Sequence, residues 1–304
     1  MKLKSSLMED VCILIPTLNE AETIGELVRR FRELGYSDIL VIDGGSTDGT
    51  REIASREGAR VVLQKGRGKG SAIIQALEMI DKEITVMIDG DGTYLPEDSF
   101  RLVEEVRKGA DHVIGNRFAD YEKGSFTFLN LIGNRILNIL FSTGYGLPLN
   151  DILSGYRAFR TKKIRELNLK QSGFEIEAEM TIESVRNGLR VVEVPISYRR
   201  RRGTKTKLNP IRDGMRIGLT IYRMMKMHNP LMYFGFLGIF MIFIGLISGI
   251  YVVVEWTKGI THSLLSVLTA LFIITGFQIF MFGVISDLIV SLHRELMREI
   301  KKLK

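Results

Sequence analysis

Two aspartates separated by one glycine, Asp89-Gly90-Asp91, end the apolar run ITVMID (84–89) and open a short DGTY turn. Carboxylates two residues apart behind a strand can aim at one hard cation, and magnesium-type ions are usually held by one or two carboxylates plus phosphate oxygens. Taken alone, Asp-x-Asp is more often a turn than a site. Its place after a fourth apolar run, beside glycines that keep bulk away from a diphosphate, favours chemistry. Pro16-Thr17-Leu18-Asn19-Glu20 follows VCILIP (11–16), and Asp43-Gly44-Gly45-Ser46-Thr47-Asp48 follows DILVID (38–43). Asp43 stands where a base or ribose can be read, or where an aspartate simply forms the turn. Gly66-Arg67-Gly68-Lys69-Gly70 precedes a helical pattern, and backbone N–H groups at a helix start, with cations beside them, suit a phosphate. Its spacing is not that of a Walker loop, and its place after the third strand argues against a dinucleotide fingerprint.

The elements that must carry these residues alternate. Strands are expected at 11–16, 38–43, 59–64, 84–89 and from 112, with helices at 20–34, 50–57, 69–80 and 97–108 between them. Strands joined by helices argue an α/β fold with a mainly parallel, doubly wound sheet. In such sheets ligands bind beyond the carboxyl ends of the strands, where the polar clusters lie. Two later stretches are amphipathic. FTFLNLIGNRILNILF (126–141) and IRDGMRIGLTIYRMMK (211–226) have the pattern of helices that lie flat on a bilayer.

Composition sets the context. The chain has 304 residues, 25% charged and 45% hydrophobic, which excludes wholesale disorder. Its single cysteine, Cys12, excludes a disulfide framework, and histidines at 112, 228, 262 and 293 are too scattered for a histidine-based metal site. The net charge of +7 is unevenly spread: residues 1–198 hold 26 Lys/Arg and 30 Asp/Glu, and residues 199–304 hold 16 and 5. Pro230 to Val254 is 25 residues without a charge, and Gly259 to Ser286 is 28 more. Each exceeds the roughly 20 apolar residues that cross a bilayer, and only EWTK separates them, so they read as a hairpin. Basic flanks on both sides place residues 1–226 and the C-terminal tail in the cytoplasm by the positive-inside rule. The N-terminus has no apolar signal region. The basic run abuts a membrane and the preceding domain is net acidic, so anionic lipid explains the charge better than nucleic acid does. The expected organisation is a catalytic domain at 1–208, with 126–141 as an interfacial helix. An amphipathic helix at 209–229 follows, then two membrane helices within 230–286 (about 231–254 and 261–285) and a basic tail at 287–304.

IPTLNE, VIDGGSTDGT, GRGKGSA and IDGDGTY, in this order, resemble glycosyltransferase family 2, whose fold is called GT-A. GNRF (115–118), DILSGYRAF (151–159), GFEIEAEM (173–180) and the basic run before the membrane are similar to its polyprenyl-phosphate branch, the dolichyl-phosphate mannose and glucose synthases. The resemblance implies a membrane-bound, metal-dependent, inverting enzyme that moves a sugar from a nucleotide sugar to polyprenyl (dolichyl) phosphate. It implies that Asp89 and Asp91 hold Mg²⁺ or Mn²⁺. Asp43 would read the base, Pro16, Glu20 and Gly90 would line the nucleotide pocket, and Lys69 would face the nucleotide. It further implies that Arg117, Arg135 and one arginine of the 199–202 run receive the lipid phosphate. Arg200 is taken as the catalytic member, with Arg202 and Lys207 beside it. Asp151, Arg157 and Glu179 would line the acceptor side. Two departures stand out: Thr93 replaces a glutamine that is a metal ligand in the mannose enzymes, and RRRRGTKTKLN carries one residue more than the family pattern. DGDGTY is closer to members using UDP-glucose or UDP-N-acetylglucosamine, with GDP-mannose still possible. A membrane polysaccharide synthase would carry a Gln-x-x-Arg-Trp motif, whereas the one tryptophan, Trp256, lies in the turn. A non-catalytic scaffold of the same fold would not need intact Asp89 and Asp91.

Overall fold

The computed structural model describes residues 8–201 and 210–302. The chain divides into two units, one ending at Ile221 and one beginning at Tyr222.

The first unit is built on a seven-stranded sheet of order β3-β2-β1-β4-β6-β5-β7. The strands are β1 (Val11–Thr17), β2 (Asp38–Asp43), β3 (Arg60–Leu63), β4 (Ile84–Met87), β5 (His112–Tyr121), β6 (Arg157–Arg160) and β7 (Val191–Tyr198). The expected early strands and the helices α1 (Ala21–Glu33), α2 (Thr50–Arg56), α3 (Lys69–Leu77) and α4 (Ser99–Arg107) are present, the helices each slightly shorter than the sequence pattern. Helix α1 shows why the pattern works: Ile24, Leu27, Val28 and Phe31 recur at helical spacing and are all buried. Pairing is parallel among β3, β2, β1 and β4 and between β5 and β7, while β6 runs antiparallel to both of its neighbours.

That reversal matters for the site. Arg157, the first residue of β6, lies opposite Met87, the last residue of β4. The segment leading into β6 is therefore delivered to the carboxyl end of β4, where Asp89 and Asp91 follow. One core cluster lies around Phe31, Tyr36 and Val103, and a second around Leu14, Leu40, Ile73 and Met180. The other helices of this region are α5 (Phe128–Tyr145), α6 (Thr161–Arg165) and α7 (Ile176–Arg186).

Helix α5 begins at Thr127, whose hydroxyl accepts from the Asn130 N–H, and ends at Gly146 in a left-handed conformation (φ 72°). One face buries Leu137, Phe141 and Tyr145, while Phe128, Leu129, Ile132, Ile136 and Ile139 are exposed on the other. The expected amphipathic segment at 209–229 is helix α8 (Pro210–His228). Its first half belongs to the sheet-bearing unit: Tyr145 Oη donates to Ile221 O at 3.1 Å, and Ile217 and Ile221 are buried. Ile211, Met215 and Leu219 are exposed at four-residue spacing.

In the second unit, α9 (Pro230–Thr257) and α10 (Ser263–Lys302) form an antiparallel hairpin. Asn229 caps α9 by accepting from Met232 N, and Pro230 occupies the first turn. The helices meet closely at glycines: a Cβ on Gly238 would lie 2.6 Å from Gly276 O. Among the described residues, two helices are long and apolar enough to cross a membrane. α10 continues without a break into residues 287–302, expected as a separate tail, because neither glycine nor proline follows Gly283 to stop it.

Candidate active site

The loops after β1 and β2 build each other. Asn19 N donates to Ser46 Oγ at 2.8 Å, Thr47 N to Asn19 Oδ1 at 2.9 Å, and Gly44 N to Thr17 O at 2.8 Å. Asp43 is fully buried; its Oδ1 accepts from Gly45 N and Ser46 N, and its Oδ2 from the Ser46 hydroxyl. The carboxylate thus forms the turn as well as standing at the end of β2. Glu20 is buried at the start of α1, and Pro16 is half-buried at the end of β1. Gly90 is required as glycine, since a Cβ there would sit 2.7 Å from the Thr17 methyl.

Each carboxylate of the 89–91 pair carries a cation from the chain itself. Lys69 Nζ sits on Asp89 Oδ1 and, at 2.5 Å, on Glu177 Oε1. Arg201 donates to Asp91 Oδ2 at 3.0 Å and to Glu20 Oε1 at 2.5 Å. Burial alone would lower the Lys69 pKa, but the two adjacent carboxylates outweigh it and raise it. Burial, and then the charge of Asp89, push the Asp91 carboxyl above the usual range. Thr93 does not take the place of the missing glutamine: its hydroxyl donates to Asp91 Oδ1 at 2.7 Å and so orients that carboxylate. On the β6 side, a Cβ on Gly155 would collide with Asp89 Oδ2. A pair of hard oxygen donors, fixed in a glycine cradle, fits a divalent cation.

Arg117 and Asp151 form a second centre. Arg117 Nε and Nη2 each donate to Asp151 at 2.7 Å, and Asp151 is fully buried. The rings of Phe118, Phe126 and Tyr198 lie 5.8, 5.7 and 5.5 Å from the guanidinium. Desolvation opposes this charge, but Asp151 raises its pKa well above the normal value. Tyr198 also packs on Tyr94, 5.2 Å between ring centres, and Tyr94 directly follows the loop that carries Asp89 and Asp91. Arg199 N donates to Thr93 O at 2.8 Å. The chain beyond β7 is therefore clamped onto the 91–94 loop, which brings Arg201 across Asp91.

Arg200, taken as the catalytic arginine, is exposed and lies over Gly124, while its N–H donates to Glu122; among the described residues of the run, Arg201 reaches the carboxylates. Arg157 does not line a surface: it is fully buried, donating to Ser154 O, Ile152 O and Thr181 Oγ1, and it fixes the segment that carries Asp151 and Gly155. Glu179 accepts from Lys170 N and Gln171 N at 2.8–3.0 Å and so holds the 170–172 backbone. That backbone takes the N–H groups of Gly70 and Ser71 through Ser172 O, so two of the N–H groups at the start of α3 are already bonded, and the Lys69 side chain reaches the site. Arg135 is exposed on α5. Arg202 and Lys207 lie outside the described residues. Sequence reasoning missed Glu177, Gly155, Tyr94 and Tyr198. Glu177 sits two residues from Glu179 on α7, and two helical residues so spaced face different ways.

Residues 12–167 match the family model for glycosyl transferase family 2, and residues 229–292 match that of the GtrB C-terminal hairpin. The chain is 47% identical over 297 residues to the glycosyltransferase AglJ of Haloferax volcanii, covering 97% of this chain and 98% of that one. It is 32% identical over 219 residues to a dolichyl-phosphate hexose transferase of the same organism, covering 71% and 93%. The fold is similar to that of glucosyl-3-phosphoglycerate synthase from Mycobacterium tuberculosis, solved with Mn²⁺, UDP-glucose and phosphoglyceric acid. The TM-score is 0.61 at 24% identity, over 73% of this chain and 81% of that one.

Proposed function

The chain belongs to glycosyltransferase family 2, and from that premise we propose that it transfers a sugar, with inversion, from a nucleotide sugar to a polyprenyl phosphate at a membrane surface. One juxtaposition carries the reading: the unit that holds the paired carboxylates also holds the Arg117–Asp151 centre and the exposed apolar face of α5. UDP-glucose or UDP-N-acetylglucosamine is the favoured donor. The relatives' names support a lipid-phosphate acceptor, and the hairpin match supports membrane attachment. The hairpin crosses the bilayer out and back, with the sheet-bearing unit and C-terminal residues in the cytoplasm.

Asp89 and Asp91 would hold Mg²⁺ or Mn²⁺, which supplies positive charge against the leaving nucleoside diphosphate. Lys69 adds a fixed cation at the same place. A phosphomonoester is already ionised near pH 7, so the acceptor needs positioning and desolvation rather than a strong base. Arg117, held by Asp151, offers a pre-oriented guanidinium for that phosphate, joined by Arg135 and Arg201. The exposed apolar residues of α5 and α8 rest at the headgroup boundary, where a long isoprenoid must stay.

Incubating membranes that contain the protein with labelled UDP-glucose, UDP-N-acetylglucosamine or GDP-mannose, then extracting lipid, tests the reading. Label should enter the lipid fraction from one UDP-sugar, in a divalent-cation-dependent and mild-acid-labile form. Label from GDP-mannose alone would overturn the donor, and no lipid label from any donor would overturn the acceptor.

A further inference from the structure

Lys69 and Arg201 share a pattern that the transfer reaction itself does not explain. Each is held by two carboxylates, of which only one belongs to the 89–91 pair. Lys69 bridges Asp89 and Glu177, and Arg201 bridges Asp91 and Glu20. Taken alone, these six groups comprise four negative charges and two positive ones, which leaves two net negative charges, the charge of one divalent cation. Glu177 is 3% exposed, and its second oxygen, Oε2, has no hydrogen-bond partner among the described residues. A buried carboxylate with an unsatisfied oxygen is costly, so its position needs a reason beyond packing.

We infer that Glu177 is a positioning residue for the metal step: it is the anchor onto which Lys69 falls back when a divalent cation takes Asp89, with Glu20 serving Arg201 in the same way at Asp91. Without a second carboxylate, a cation displaced from Asp89 would be left desolvated beside a dication, and metal binding would be opposed by that repulsion. With Glu177 in place, the ammonium keeps one full partner, moves little, and stays beside the donor diphosphate. The unsatisfied Oε2 gives the fall-back state a further acceptor for the Lys69 ammonium. This inference rests on the proposed metal-dependent transfer.

The test is a double-mutant cycle on Mn²⁺ affinity. Full-length protein in detergent micelles, with saturating UDP or GDP (whichever stabilises it in a thermal-shift assay), is titrated with MnCl₂, and free Mn²⁺ is read by electron paramagnetic resonance. Glu177→Gln keeps the shape and removes the charge. It should weaken Mn²⁺ binding roughly tenfold, the scale of one charge interaction at a partly shielded site. Lys69→Met removes the internal competitor and should tighten binding. In the Lys69→Met background, Glu177→Gln should cost less than about threefold, because Glu177 acts through Lys69. Equal Mn²⁺ affinity of wild type and Glu177→Gln, or an undiminished Glu177→Gln effect in the Lys69→Met background, overturns the inference while leaving the metal reading intact. Failure of the wild type to bind Mn²⁺ overturns both. If the buried substitutions prevent folding, Arg201→Gln carries the test at the partly exposed end. It should tighten Mn²⁺ binding several-fold, and unchanged or weaker binding overturns the exchange.

Discussion

Asp89 rests against the bare Cα of Gly155, so the position of the first metal-directed carboxylate depends on the absence of a side chain on another strand's approach. Gly155→Ala would displace the Asp89 carboxylate, which its added Cβ would meet. Misplacing a reacting group by an ångström costs about a hundredfold in rate, so transfer should fall on that order while the circular dichroism spectrum stays unchanged. Transfer within threefold of wild type would show that Asp89 does not need this cradle. The Asp-Gly-Asp pair was legible in the sequence because its geometry is local: two side chains, one glycine and a strand end. Gly155 was not, because only the antiparallel course of β6 brings it there. The choice between Arg200 and Arg201 was hidden for a related reason. Adjacent residues of an extended segment point to opposite sides, and the side is set by the clamp of Arg199 on Thr93, a long-range hydrogen bond. Glu177 and Glu179 differ in the same way on α7, one facing Lys69 and the other the 170–172 backbone.

Helix α3 is held at its start by the 170–172 backbone, and this would make Glu179 a remote support of the proposed donor site. Its carboxylate accepts three N–H contacts from Lys170 and Gln171, and Ser172 O in turn accepts from Gly70 and Ser71. Charge-assisted bonds of this kind contribute about 1.5–3 kcal/mol. Glu179→Gln, which turns an amide N–H toward another N–H, should lower stability by about that amount in urea unfolding and weaken binding of the donor nucleotide. Loss of stability with unchanged nucleotide affinity would confine Glu179 to folding. A second element-scale device is the buried contact between β5 and α7. His112 Nδ1 bonds Ser184 at 2.9 Å, Nε2 faces Arg157, and the ring is fully buried. Burial first, and then the Arg157 charge, depress its pKa well below the ordinary value. The folded state therefore keeps His112 neutral where the unfolded chain, with a pKa near 6.5, takes up a proton. Its contribution is fully present above pH 6.5 and is lost as pH falls below that value, at about 1.4 kcal/mol per pH unit. Urea unfolding at pH 7.5, 6.5 and 5.5 should show this slope, and His112→Asn should reduce it; an identical slope in the variant would assign the acid sensitivity elsewhere. The alternation of β1 to β4 with their helices was readable from apolar periodicity. The reversed β6 was not, because four residues, RAFR, carry no signature of direction.

At the scale of the whole molecule, the two units would divide the work that the proposed lipid-phosphate acceptor demands. The hairpin was the most legible part of the chain, since two charge-free runs longer than a bilayer core leave few alternatives. The ownership of α8 was less legible, because an amphipathic pattern states which face is apolar but not what covers it. In the structure Ile217 and Ile221 are covered by the sheet-bearing unit, while Ile211, Met215 and Leu219 remain open. Together with Phe128, 78% exposed, and with Ile132, Ile136 and Ile139, they leave this unit a row of exposed apolar residues on each of two helices. Truncation after Lys226 should therefore give a protein that still binds the nucleotide but transfers poorly to long-chain polyprenyl phosphate, since enzyme and acceptor no longer share a surface. It should also still bind anionic vesicles, through α5 and α8. Replacing Ile136 and Ile139 together with serine removes roughly 1 kcal/mol or more of apolar burial per residue at about 25 cal/mol per Å². Vesicle partitioning of the truncated protein should then fall at least about tenfold in co-sedimentation, with nucleotide affinity unchanged. A truncated protein that ignores vesicles, or a double serine variant that partitions as well as its parent, would remove α5 from the membrane surface. The acceptor would then have to reach Arg117 by another route. Full-length activity separates the two outcomes further: if the hairpin alone supplies attachment, the serine pair leaves long-chain transfer untouched, whereas an α5 seated at the headgroups makes the same pair raise the KM for long-chain acceptor.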